Sequence, residues 1–335
     1  MATPLGAVAA APEVLNHFYQ ALATIIAGMF DTDGDTTTQS WIDEWFQMVD
    51  IPGAFLVAHA WLATPVPGPE IRGEEVTDDG FDELTFTLFP YAYNTPRFTL
   101  HLDDLEDSQA PKSMKERAEE GVAELRRYRE RVFPELLEGT TGDFLHPEVS
   151  HTAYLGTASL YSTTHTVGAQ TLSNQITLSG TGVGNIINDL WQHRAAYRAM
   201  LNSNGIHYWS GRNGKPKLLC VIPSQIEQAF AAAKLSETLV PAGATAPSSN
   251  YTPKDFEFDY EVLETLTSAT NWYTLRRGDS RGIRPLVEGR KKQISRKDWR
   301  EGSDFTNARN MIGFQWRVRA AFGAGSSFHT TKAAA

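Results

Sequence analysis

The pattern closest to a nucleotide site is Gly180-Thr-Gly-Val-Gly-Asn, which follows a strand-like run, 175–178, and opens a helix. Strand, glycine turn and helix are the setting in which backbone N–H groups and a helix N-terminus hold a pyrophosphate. The pattern is incomplete. Asn185 stands where the third glycine belongs, no acidic residue closes the next strand, and the lead-in is polar. A hairpin turn with a helix cap accounts for the same residues. Asp31-Thr-Asp-Gly-Asp begins like a calcium loop, but Thr36 and Ile42 occupy the positions that need Gly and Glu. His146, His151 and His165 are too loosely spaced for a zinc site on one fixed element. HExxH, GxSxG and the phosphate-loop GK[ST] are all missing. The single cysteine, Cys220, excludes an internal disulfide and any cysteine-cluster metal site. These patterns assign no catalytic residue, no cofactor and no metal.

The elements that would carry such groups read as α+β without an internal repeat. The chain has 335 residues, 41% apolar and 11% aromatic, which is enough for one large domain or two ordinary ones. Helices are predicted over 12–30, 112–138, 183–202 and 224–235. Strands are predicted over 98–103, 218–223, 258–266, 271–276, 284–294 and 310–322. In 112–138, Met114, Ala118, Val122, Leu125, Val132 and Leu136 form one apolar stripe, and Pro134 is expected to kink or end the helix. At about 1.5 Å per residue this is a rod of roughly 40 Å. Residues 62–82 combine Pro65, Pro67, Gly68, Pro69 and Gly73 with a run of acids, between strand-like flanks. That is the composition of a long β-arm, and loops of this length are usually functional.

Charge divides the chain. Residues 1–111 hold 18 acidic and two basic residues (Arg72 and Arg97), whereas 276–319 hold 13 basic and five acidic ones. The net charge of −10 argues against gripping nucleic acid over the whole surface. The first 71 residues carry no Lys or Arg, so the basic flank of a secretory signal is missing. The apolar run 14–30 is shorter than the ~20 residues of a membrane span, so no membrane association is expected. The cluster Arg290, Lys291, Lys292, Arg296 and Lys297 is interleaved with Glu288 and Asp298, which suits a solvated or subunit-facing strand better than a phosphate site.

The order of several short motifs is more specific. Leu160-Tyr-Ser-Thr-Thr-His-Thr is followed by Thr171-Leu-Ser-Asn, a helix, a strand ending Cys220-Val-Ile-Pro, and a helix of small residues. Further on come Thr270-Asn-Trp-Tyr-Thr-Leu, Arg284-Pro-Leu-Val-Glu, Lys291-Lys and Gly313-Phe-Gln-Trp-Arg-Val-Arg. Phe98-Thr-Leu-His-Leu-Asp-Asp-Leu-Glu-Asp lies upstream. Over roughly 85–325 this succession resembles the major head subunit (gpT) family of Mu-like phages.

The resemblance implies a Hong Kong 97-like major capsid fold, divided as follows: an N-terminal arm at 1–50, an extended loop with flanking strands at 51–97, a peripheral domain at 98–159 with its spine helix at 112–138, an axial domain at 160–265, and a return to the peripheral β-layer at 266–335. It implies a structural protein, not an enzyme. Copies would form pentamers and hexamers of an icosahedral shell around double-stranded DNA, assembled in the host cytoplasm and found in the virion. Scaffolding, portal and decoration proteins are the implied partners. Two charged segments are the candidate contacts between copies: Glu70, Glu74, Glu75, Asp78, Asp79, Asp82 and Glu83 on the arm, and Arg284, Arg290, Lys291, Lys292, Arg296 and Lys297 on the basic layer. An encapsulin-type compartment shell is the alternative of the same fold. A nucleotide-dependent α/β enzyme using Gly180–Gly184 is the alternative of a different class.

Overall fold

Thr330–Ala334 is a strand of small residues, and it lies inside a five-stranded sheet, not at an edge. The computed structural model describes residues 41–53, 56–61, 83–88, 90–94, 98–101, 116, 120, 127–139, 160–167, 170–201, 205, 207–209, 218–235, 238–239, 248–249, 258–276, 284–299 and 311–335. The helix expected over 12–30, the acidic run from Asp31, His146, His151 and the tip of the arm lie outside these residues.

In chain order the first strands are β1 (Phe46–Asp50), β2 (Leu56–Trp61), β3 (Glu83–Leu88), β4 (Tyr91–Asn94) and β5 (Phe98–His101). Helix α1 (Tyr128–Glu138) precedes β6 (His165–Val167), β7 (Gln170–Leu172) and β8 (Gln175–Thr177). Helix α2 (Val183–Ala199), β9 (Leu218–Ile222), helix α3 (Glu227–Leu235), β10 (Thr238–Leu239), β11 (Ser248–Ser249) and β12 (Phe258–Val262) follow. The chain ends with β13 (Trp272–Arg276), β14 (Leu286–Trp299), β15 (Met311–Ala324) and β16 (Thr330–Ala334).

Two compact units are formed. The larger comprises Ile42–Tyr91, Glu130–Lys291 and Ala320–Ala335, the smaller Met1–Trp41, Ala92–Arg129 and Lys292–Arg319. In the smaller unit β5 runs antiparallel to the start of β15, pairing Phe98 with Phe314 and His101 with Met311. The rings of Tyr93 and Tyr128 stack there at 6.1 Å.

The larger unit holds the sheet β12-β9-β13-β16-β8. β9 is parallel to β12 and antiparallel to β13, and β16 is antiparallel to β13 and parallel to β8. β9 reads Leu-Leu-Cys-Val-Ile, the near-continuous apolar run of a strand buried on both faces. Ile186, Leu190 and Tyr197 of α2, at steps of four and seven residues, pack with Phe230 of α3 and Trp272 of β13. Fully burying each large side chain contributes about 1.5–3 kcal/mol. A second cluster joins Phe46 of β1 to Phe133 of α1 and Phe322 of β15, with ring centroids 6.1 and 5.9 Å apart. β1 lies parallel to the first residues of β14, Phe46 opposite Leu286.

Pro134 does not end its helix: α1 continues to Glu138 and closes at Gly139, whose φ is +68°. Of the longer helix expected over 112–138, Glu116 and Glu120 are also helical. The boundary drawn at residue 265 cuts one sheet, because β13 and β16 of the closing segment hydrogen-bond into the sheet that contains β9 and β12. Gly325 makes the turn into that last strand possible. Its N–H donates to Pro285 O at 2.7 Å, and a Cβ there would lie 2.6 Å from Arg284 O.

The flanks of the arm form as expected. β2 and β3 pair as an isolated antiparallel ribbon, from Leu56 opposite Leu88 to Trp61 opposite Glu83, and 62–82 connects them.

Candidate functional site

The glycine turn does not have the geometry of a dinucleotide site. β8 lies at the edge of its sheet, with β16 and β13 between it and β9, the next strand in the chain. In a dinucleotide-binding unit those two strands are neighbours, and the cofactor crosses the crevice between them. The turn is also filled by the chain's own side chains. Gly180 has φ +140°, and a Cβ on it would meet Asn185 Nδ2 at 2.5 Å. The Ser179 N–H donates to both carboxylate oxygens of Asp189, at 3.2 and 3.1 Å. Asn188 Nδ2 donates to Ser179 Oγ at 2.9 Å. Asp189 is fully buried, and burial raises its pKa while the Ser179 hydrogen bonds lower it. A phosphate at this helix start would face that carboxylate. The residues make a turn tied at Ser179 to Asp189 and Asn188, and the helix starts at Gly182 without a side-chain cap.

The motif residues of 160–174 come together around one side chain. Asn174 Oδ1 accepts from Ser162 N–H at 2.9 Å and lies 3.0 Å from His165 Nε2. Its Nδ2 donates to Leu160 O at 2.7 Å, to Thr330 O at 3.2 Å and to Ser327 O at 3.4 Å. One buried amide therefore holds both ends of the 160–174 turn and the segment that leads into β16. His165 is fully buried, and burial lowers its pKa, partly offset by hydrogen bonds to Asn174 and to the Leu160 backbone.

Beside it runs a chain of buried hydroxyls. Tyr197 Oη lies 3.1 Å from Thr274 Oγ1, Thr274 Oγ1 bonds Thr331 Oγ1, and Thr331 Oγ1 lies 2.5 Å from His193 Nδ1. Tyr161 donates its hydroxyl proton to Thr330 Oγ1 at 2.8 Å, since Thr330 Oγ1 in turn donates to Thr274 O. Burial alone pushes the pKa of His193 down to about 3, so its ring is neutral at pH 7. The chain bonds α2, β13 and β16 together, and all its members are buried. Its chemistry is cohesion. Among the described residues no group of three His, Cys, Asp or Glu side chains is placed to hold a metal. No helix among them is long and apolar enough to cross a membrane.

Glu83 closes the β2–β3 ribbon opposite Trp61. Glu70, Glu74, Glu75, Asp78, Asp79 and Asp82 lie outside the described residues. Lys292, Arg296 and Lys297 lie in β14. Arg284 and Lys291 are half-buried. Arg290 already has a partner: its Nε donates to Glu288 Oε1 at 2.9 Å, and the Glu288 side chain is fully buried. Of the six basic candidates, Arg290 is thus committed inside its own strand. The i, i+2 spacing is the signal that would have found this pair.

No family model matches the sequence, and no curated protein matches it. Solved structures do. A structure from Microbacterium phage Oxtober96 aligns with a TM-score of 0.51 at 10% identity, covering 88% of this chain and 91% of that one. The capsid of an empty GTA particle gives 0.51 at 11%, covering 88% and 89%. The chain has the Hong Kong 97-like capsid fold. A structure from Mycobacterium phage Patience extends the match to 95% of this chain, with a TM-score of 0.50 at 9% identity and 86% of its own length covered. The α+β, Hong Kong 97-like class expected from sequence therefore holds, across nearly the whole length rather than in one domain.

Proposed function

We propose that the protein is a major capsid protein of the Mu-like head subunit type. Its copies assemble into pentamers and hexamers of an icosahedral shell that encloses double-stranded DNA. The observation that carries this reading is the match of 88–95% of the chain to Hong Kong 97-like structures. The β2–β3 ribbon supports it, since among the described residues it pairs with no other strand, and the acidic segment 62–82 joins its two strands in the sequence. Closed rings of one subunit need head-to-tail contacts, and the chain has an acidic and a basic segment suited to them. In this reading the arm residues Glu70–Glu83 of one copy lie over the basic strand β14 of the next. Scaffolding, portal and decoration proteins complete the particle, which assembles in the host cytoplasm.

Negative-stain microscopy and sedimentation of the purified protein test this. Shells or capsomers are the expected result. Monomers or dimers alone under all assembly conditions, with scaffolding protein present, would refute it. Shells that copurify with a protein cargo and no DNA would identify an encapsulin-type compartment instead.

A further inference from the structure

The three histidines that are fully buried among the described residues, His165, His193 and His329, all bear on β16 or on the turn that leads into it. His193 Nδ1 lies 2.5 Å from Thr331 Oγ1. His165 bonds Asn174 Oδ1, and the amide of that asparagine donates to Ser327 O and Thr330 O. His329 immediately precedes the strand. β16 sits between β13 and β8, yet Ala333 and Ala334 are its only apolar side chains. Two methyl groups bury far less apolar surface than the Leu-Leu-Cys-Val-Ile of β9. Hydrogen bonds therefore carry more of the attachment of β16 than of its neighbours. The turn before it is anchored differently: Phe328 stacks on Tyr208 at 4.2 Å, Trp209 Nε1 donates to Phe328 O at 3.0 Å, and Gly325 N–H donates to Pro285 O.

His193 has no place for a second proton while β16 is docked. Its Nε2 has no hydrogen-bond partner, and its ring lies against Trp272 with centroids 4.4 Å apart. On its own helix, Asp189 one turn before it is held by the Ser179 N–H, Tyr197 one turn after it bonds Thr274, and Arg194 lies over the Trp191 ring. β9 brings the neutral Cys220 thiol, and β13 ends at Arg276, which is stacked over Trp209. Tyr273 and Lys332 alternate to the opposite face of the sheet from Trp272 and Thr331. Glu227 of α3 and the Lys234–Asp259 pair are solvent-exposed. None of these carboxylates bonds the imidazole, so a charged ring here is a buried cation without a counter-ion, which is costly. Burial drives the His193 pKa down to about 3, and the lowering at His165 has the same sign. We infer that β16 is an acid-released latch: when it swings out on the turn at Phe328, His193 reaches water and takes up a proton that holds the strand open, while β9, β12 and β13 stay paired. The latch belongs to the single subunit and does not depend on the shell reading.

Amide hydrogen exchange of the unassembled full chain, read by mass spectrometry from about pH 6 to about pH 4 and corrected for the intrinsic rate, reports such local opening. One proton taken up only in the open form makes the opening equilibrium of 330–335 rise up to about tenfold per pH unit below the ordinary histidine pKa of about 6.5. The amides of β9 should keep their protection over the same range. His193→Gln, which keeps a hydrogen-bonding head and takes up no proton here, should lose that slope. Thr331→Val removes the hydroxyl and leaves the imidazole, so it should lower the protection of 330–335 at every pH and keep the wild-type slope. The inference is overturned if 330–335 and β9 lose protection together, since the opening is then global, or if the protection of 330–335 does not change with pH. It is equally overturned if His193→Gln keeps the wild-type slope, or if Thr331→Val loses it. A chain that never forms shells refutes the shell reading and leaves the latch standing; a pH-independent β16 refutes the latch and leaves the shell reading standing.

Discussion

His165 Nε2 lies 3.0 Å from Asn174 Oδ1, and that one contact fixes the tautomer of the imidazole and the orientation of the amide. The amide oxygen can only accept, so the histidine is the Nε2–H tautomer and the Asn174 amide turns its nitrogen towards the carbonyls of Leu160 and Thr330. The donors and acceptors around Asn174 are then all matched.

Asn174→Ala would remove the acceptor of the Ser162 N–H and of the His165 Nε2–H and a donor to the Thr330 and Ser327 carbonyls, while Leu160 O keeps the Ser327 hydroxyl. Each buried orphan costs about 1–3 kcal/mol. We expect a combined loss of at least about 2–4 kcal/mol, or a melting temperature lower by roughly 5–15 °C at the size of this unit. Asn174→Asp should be worse, since a carboxylate would face the two carbonyls. Thermal melts of unassembled protein check both, and an unchanged melting temperature for either would contradict the hub.

Acid should loosen the same region. His193 has its folded pKa pushed down to about 3, and that of His165 is also lowered. Below about pH 6.5 the unfolded chain takes up protons that the folded chain refuses. The sign is therefore that stability is full above pH 6.5 and is lost as pH falls towards 3, by up to about 1.4 kcal/mol per unit for His193, with His165 acting in the same direction. Asp189, with its raised pKa, acts in the opposite direction. The comparison of wild type with His193→Gln isolates the histidine. Urea midpoints measured from pH 7.5 to 4.5 should fall less steeply in the variant.

Gly180→Ala tests the reading of the glycine turn. The alanine would need φ +140° and would press its Cβ on Asn185 Nδ2. A loss of about 1–3 kcal/mol is expected for such a conformation. Adding Asn185→Ala should restore only part, because the backbone strain stays. Neither ATP nor NAD should shift the melting temperature of the wild type; a shift abolished by Gly180→Ala would revive the nucleotide reading.

The first lysine in the sequence is Lys112, beyond the β2–β3 ribbon and its connection. No amine on that arm can join a neighbour's side chain through an isopeptide bond. Mature particles should run on a denaturing gel as a single band near 37.1 kDa. A ladder of covalent multimers would show that another lysine serves.

Elements with a strong period were legible from sequence. The apolar run of β9, the alternating strand β5, the helix α2 and the strands β13 and β15 sit where the sequence placed them, and the β2–β3 flanks do as well. β16 was not legible. Thr-Thr-Lys-Ala-Ala has no apolar alternation, and it is buried because Thr331 reaches His193 and Thr274 while the Ala333 methyl packs in the core. The candidate contacts were legible only as charge. Composition cannot tell Arg290, paired with buried Glu288, from Lys291 beside it. Asn174 stood inside a motif, but its role needs Leu160 and Thr330, which are 14 and 156 positions away.

The proposed pairing of the acidic arm with the basic strand can be tested by charge reversal, and the Glu288–Arg290 pair dictates the design. Reversing Glu74, Glu75, Asp78 and Asp79 to Lys should block shell formation and leave the unassembled subunit folded. Exposed ion pairs contribute only about 0–1 kcal/mol each, so the effect needs several acting together, through register and association rate. The compensating set must avoid Arg290, because Arg290→Glu would set a second carboxylate against the buried one of Glu288 and destabilise the strand for reasons unrelated to assembly. Lys291, Lys292, Arg296 and Lys297 reversed to Glu in the arm-mutant background should restore shells in part. Wild-type assembly should also slow as salt shortens the Debye length below its ~8 Å at physiological strength. An arm mutant that assembles normally would remove the pairing altogether. An arm mutant that unfolds would place the pairing within one chain, and circular dichroism of the unassembled subunit separates that outcome from loss of assembly.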